Sequence, residues 1–174
     1  MPNFNHYLGQ CVAEKISARQ LASWLIPQEI VLDVELRDSR HALEWAAASI
    51  GRRHGLEPAP IFRALWRREV VGSTGLGHGV AIPHARIDGI ERPLTTFARP
   101  KCAIEFAAPD GKPVSSILVI MVPANGETDD HLRLLALVGE MFSDASFQSQ
   151  LLMANAIEKV QRAFANYALH IAAR

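Results

Sequence analysis

His84 closes the segment GSTGLGHGVAIPHAR, residues 72–86. Four glycines fall within eight residues there, so the backbone needs unusual dihedrals or a close approach that a side chain would block. Val80 to Ile82 then runs into Pro83, which fixes its own backbone angle, removes a donor and helps end a strand. A histidine placed next is half positioned by the backbone alone. Neutral imidazole is a good nucleophile near pH 7, because its ordinary pKa is about 6.5. His131 follows Asp129 and Asp130 and lines up with Leu134, Leu135 and Val138 at helical spacing. It points along an inner face at a helix start, where unpaired backbone donors favour an anion. His78 sits inside the glycine loop and is expected to be exposed. His6, His41, His54 and His170 read as ordinary surface or core groups, two near the termini and two flanking a helix.

Three chemistries compete for these residues. His78, His84 and His131 could hold a metal, but their spacing matches no zinc pattern, and HExxH and paired cysteines are missing. The glycine loop could hold a nucleotide, but it lacks the Gly-Lys-Ser/Thr ending of a P-loop. It also follows a helix and leads into a strand, the reverse of a dinucleotide loop. The third chemistry is a histidine that carries a group covalently, which suits two histidines and a nearby arginine.

The elements that must position these groups alternate along the chain. Residues 1–13 read as a loose extension, and 14–26 as a short helix ending before Pro27. Residues 29–36 alternate as a half-buried strand, with Glu29, Asp33 and Glu35 on the polar side. Ser39 is expected to cap a helix closed by Gly51 or Gly55, and Pro60 to open another that stops before Gly72. Strands are expected at 94–99, 102–106 and 115–123, the last apolar enough for burial on both faces. Thr128 or Asp129 then starts a helix with the inner stripe Leu134, Leu135, Val138, Met141 and Phe142. Ser146 starts a short helix, and Asn155 with Glu158 resembles a capping pair ahead of a last one. Helices interspersed with strands predict an α/β fold, a sheet covered by helices.

Composition narrows the class. The 174 residues suit one domain, and 49% hydrophobic with 21% charged is a globular balance. Eighteen basic residues against eighteen acidic ones argue against non-specific nucleic-acid binding. Cys11 and Cys102 are too few for a disulfide framework or a four-cysteine zinc site. The longest apolar run, Ile117 to Pro123, is too short to insert into a membrane, and the N-terminus does not read as a signal peptide. A cytoplasmic, reducing location is the expectation.

STGLGHGVAIPHAR, preceded by Arg68–Glu69, closely resembles the active-site stretch of the mannitol/fructose-class enzyme IIA domains of the phosphoenolpyruvate-dependent phosphotransferase system. VPANGETDDHLRLLALVGEMF, residues 122–142, is similar to the family segment with the second active-site histidine. The resemblance covers about residues 20–168, leaving 1–19 as an N-terminal extension and 169–174 as a tail. Within the class the chain looks most like the nitrogen-regulatory enzyme IIA, being without a fused IIB or membrane domain. It departs from that pattern at His78, where asparagine or glutamate is frequent, and at Ala85, where glycine is common.

The resemblance implies a helix–sheet–helix sandwich around a mixed sheet. It implies that His84 is phosphorylated by an HPr-type histidine phosphocarrier, with no cofactor and no metal. His131 would hydrogen-bond the phosphoryl oxygens and Arg68 would pair with their charge. Leu76, Val80 and Ile87 are candidates for the apolar surface that meets the donor. Downstream, the phosphorylated protein would regulate a target protein in nitrogen or general metabolism. In the sugar-specific alternative it would relay phosphate to a IIB domain.

Overall fold

A computed structural model describes residues 17–172. Most of the extension expected at residues 1–19 lies outside them. Ser17 caps α1 (Ala18–Trp24): its hydroxyl accepts from the Gln20 N–H, and the Gln20 side chain returns to the Ser17 N–H. A 3₁₀ turn, Pro27–Glu29, leads into β1 (Ile30–Val34). Asp38, not Ser39, caps α2 (Ser39–His54), because its carboxylate reaches the His41 N–H. Gly55, at φ 67°, ends that helix. α3 (Pro58–Val71) opens on Pro58, two residues before the expected start at Pro60, and stops before Gly72.

Five further strands follow: β2 (Gly75–Gly77), β3 (Val80–Ala81), β4 (His84–Ile87), β5 (Leu94–Pro100) and β6 (Ser116–Pro123). The expected strand at 102–106 reduces to one isolated bridge between Ile104 and Val114. The chain ends in α4 (Thr128–Ser143), α5 (Ala145–Met153) and α6 (Ile157–Ala172). Glu127 precedes α4 without a side-chain cap, and Asp144 rather than Ser146 caps α5. α6 continues past residue 168, so residues 169–172 are helical.

The sheet is mixed, in the order β1-β5-β6-β3-β2, with β4 also on β6. β6 is its axis. β5 runs antiparallel along one side of it. β3 and then β4 run parallel along the other, against Ser116–Ile117 and Ile120–Pro123 respectively. Pro83 interrupts that edge rather than ending it. It has no N–H to give, but its carbonyl still accepts from Ile120.

The side chains of β6 alternate between two apolar layers, as a strand buried on both faces must. Leu118, Ile120 and Val122 join α1, α4, α5 and α6 around Phe97, Phe142, Phe147 and Phe164. Ile117, Val119 and Met121 join α2 and α3 around Leu43, Ile50, Ile61 and Leu65. The molecule is thus the expected helix–sheet–helix sandwich.

One correction to the expected pattern lies at Glu29. It falls on the polar side of the alternation, yet it is 3% exposed. Its carboxylate meets Arg53 at 2.7 Å, His54 at 2.8 Å and the Thr96 hydroxyl at 2.8 Å. A buried carboxylate requires such partners. His54 is therefore a structural group, and His41 accepts a hydrogen bond from the Arg37 N–H.

Candidate active site

Three layers contribute one side chain each. His84 opens β4, which pairs only with β6 and lies against α3. Arg68 comes from the last turn of α3, and His131 from the first turn of α4. The His84 Nδ1 lies 2.8 Å from the Ile82 carbonyl, so Nδ1 carries the proton and donates. Nε2 is left with its lone pair. The Nε–H of Arg68 donates to it at 3.0 Å, while Nη1 of the same guanidinium donates to Gly72 O at 2.7 Å. The His131 ring stands edge-on to His84, with centroids 5.5 Å apart. Its Nε2 is buried and has no hydrogen-bond partner.

The electrostatics keep both imidazoles neutral. Burial is the main cause that lowers the His84 pKa, helped by the Arg68 cation and opposed by its bond to Ile82 O and by Glu69. Burial pushes His131 down to about 4, aided by His84, Arg86 and Arg68. Each ring holds a proton less readily folded than unfolded. Stability from these groups is therefore complete above about pH 6.5 and is lost as pH falls toward 4. An NMR titration of the ring carbons is expected to find both rings neutral at pH 7. His84 should protonate only below 6.5 and His131 near pH 4; a cationic His131 at pH 6 would contradict the arrangement.

The glycine segment forms a tight hairpin, not an open loop. β2 and β3 pair antiparallel, and His78 and Gly79 between them have φ 53° and 77°. Two positive φ values are what a type I′ turn demands. His78 tolerates this because the Asp110 carboxylate accepts its N–H at 2.7 Å. The N–H bonds of His78 and Lys112 hold the Asp110 carboxyl below its usual range. A Cβ on Gly77 would sit 3.2 Å from the same carboxylate.

The docking candidates divide. Leu76 is 47% exposed on the hairpin, as expected. Val80 and Ile87 are not surface residues: Val80 packs into the α4–α6 layer and Ile87 into the α2–α3 layer. The pairing of β3 and β4 with β6 turns both inward. Exposed apolar side chains occur instead at Val70 and Val71, just past Arg68, and at Leu132, just past His131. His78 is exposed.

Sequence reasoning missed Arg86. It shares the outward face of β4 with His84, and its guanidinium donates to Ala124 O, Gly126 O and Thr128 Oγ1. It braces the turn that launches α4, and with it His131. Alternation on a short strand, His84-Ala85-Arg86, is the signal that could have exposed it. Among the described residues, no group of three His, Cys, Asp or Glu side chains is gathered as a metal site. No helix among them is long and apolar enough to cross a membrane.

The family model described as "Phosphoenolpyruvate-dependent sugar phosphotransferase system, EIIA 2" matches residues 24–167. The chain belongs to this EIIA family. Two branches of related proteins are similar to it. A nitrogen regulatory protein of Klebsiella oxytoca is 32% identical over 145 residues, covering 83% of this chain and 89% of the relative. A fructose-specific EIIA component of Haloferax volcanii is 38% identical over 98 residues, covering 56% of this chain and 63% of the relative. The crystal structure of nitrogen regulatory protein IIA-Ntr from Neisseria meningitidis superposes with a TM-score of 0.79. It is 36% identical and covers 83% of this chain and 99% of that one. The EIIA family membership and the mixed-sheet sandwich agree with the expectations drawn from the AIPH and DHL segments.

Proposed function

We propose that this EIIA protein accepts a phosphoryl group on Nε2 of His84 from an HPr-type histidine phosphocarrier, and that its phosphorylation state regulates a partner protein. The observation that carries the reading is the His84 ring itself. Nδ1–H is held by Ile82 O, and the free lone pair on Nε2 faces an arginine.

In the transfer, the P–N bond to the donor's imidazole breaks as a P–N bond to His84 Nε2 forms. The donor ring leaves as a neutral imidazole, and the Nδ1 proton of His84 stays where it is. Such transfers proceed through a loose transition state, so the protein contributes position and charge. Arg68 must leave Nε2 as phosphorus arrives, and its guanidinium then meets the phosphoryl oxygens. A phosphoryl oxygen beside His84 also supplies the partner that His131 Nε2 lacks. This chemistry calls on no metal or cofactor; the phosphoryl group is the only passenger.

The donor is expected to dock on the apolar rim, with Leu76 as its hairpin contact. Leu76→Asp should raise the donor KM about tenfold and leave kcat nearly unchanged, since it removes an exposed apolar contact and not a group proposed to touch the phosphoryl. An unchanged KM would take Leu76 off the docking surface.

The reading is tested by intact mass after incubation with phosphoenolpyruvate, enzyme I and the phosphocarrier. One acid-labile phosphoryl adduct is expected; none, with a donor shown to be active, would refute a carrier role. Capture experiments with both forms then separate regulation from relay. A regulator binds its target differently when His84 gains about two negative charges. A sugar-specific relay passes the group to a IIB domain, and the similarity to a fructose-specific component keeps that outcome in the test.

A further inference from the structure

Glu69 follows Arg68 at the end of α3, but the two side chains serve different ends. Arg68 reaches His84. The Glu69 carboxylate accepts the Thr74 N–H at 3.0 and 3.2 Å and the Thr74 hydroxyl at 2.5 Å. No cation among the described residues pairs with it. A negative charge next to a site that must receive a dianion opposes that dianion, so its presence asks for a reason.

The reason lies further along the same hydrogen bonds. Thr74 is 4% exposed, and its carbonyl accepts the Ile82 N–H at 2.9 Å. The Ile82 carbonyl in turn accepts Nδ1–H of His84 at 2.8 Å. The carboxylate thus stands at the head of a series that ends on the reacting ring. Bonds from N–H and O–H to a carboxylate are about twice as strong as neutral ones, so a charged anchor holds Thr74 more firmly than any neutral residue.

We propose that Glu69 is a positioning residue: through Thr74 and Ile82 it holds the carbonyl that keeps the proton on Nδ1 and the lone pair on Nε2 of His84. The assignment rests on the phosphocarrier reading for its purpose but not for its geometry, so the two can fail separately.

The test uses the full chain with Glu69→Ala, Glu69→Gln and Thr74→Val, read by NMR of the His84 ring nitrogens and by single-turnover transfer from the phosphocarrier. Glu69→Ala is expected to move a measurable fraction of His84 to the Nε2–H tautomer. It should also lower kcat about tenfold or more, with KM changed less than about twofold. Glu69→Gln, which keeps an acceptor for the Thr74 N–H, should restore most of both. Thr74→Val removes only the hydroxyl bond; it should fall between, and it carries the test if Glu69→Ala does not fold. A purely structural role predicts a lower melting temperature with wild-type tautomer and kcat in the folded variants, and that result would overturn the proposal. If wild-type protein takes up no phosphoryl group while Glu69→Ala still shifts the tautomer, the carrier reading falls and the positioning role stands.

Discussion

His84→Ala is expected to take up no phosphoryl group from an active phosphocarrier, while its fold and melting behaviour should stay close to wild type. The loss should be complete because neither Arg68 nor His131 offers a lone pair in the same setting. His131 lies 5.5 Å away by ring centroids, and its buried Nε2 is the atom expected to bond a phosphoryl oxygen carried on His84. The fold tolerates the change because the ring is only half buried and its bond to Ile82 O spans two residues. The Pro83–Ile120 bond and the β4–β6 register, which hold the edge, are backbone features. Intact mass before and after mild acid checks the result. An adduct surviving on His84→Ala would move the chemistry to another residue.

The second large effect belongs to Arg68. Arg68→Met should slow transfer by about 10²–10³-fold, the usual cost of losing a donor aimed at developing charge. Arg68→Lys should recover only part of this. A lysine is a single point charge and cannot serve Nε2 and Gly72 O from one planar group. Rapid-quench measurement of one turnover separates the step from donor docking. A wild-type rate in Arg68→Met would mean that its bond to Nε2 is a resting contact without a catalytic part.

Residue type and order pointed to His84 and His131, because a proline-led histidine after a glycine run is a local pattern; Arg68 came from the family resemblance, and the structure brings it to His84 Nε2. The continuous apolar run at 115–123 revealed β6 for the same reason. What escaped depends on pairing between distant segments. Val80 and Ile87 sit on strands of two and four residues, too short to show which way a face turns until both pair with β6. Glu29 meets Thr96, 67 residues away, so its burial could not be read from its own neighbours. The segment at 102–106 has strand-forming residues but finds only one bridge, since propensity without a partner edge makes no ladder. The Glu69–Thr74–Ile82 series was invisible because half of it is backbone.

The site borrows one group from each of three layers, and no layer holds two of the three. Arg68 stays in place only while α3 packs on its side of the sheet, and His131 only while α4 packs on the other. A molecule with either face loosened would lose one of the three groups and with it the proposed acceptor site. Uptake of the phosphoryl group would therefore double as a quality inspection. On the proposed function, phosphate would enter only copies folded on both sides, and a damaged copy would drop out of the signalling pool before it had unfolded.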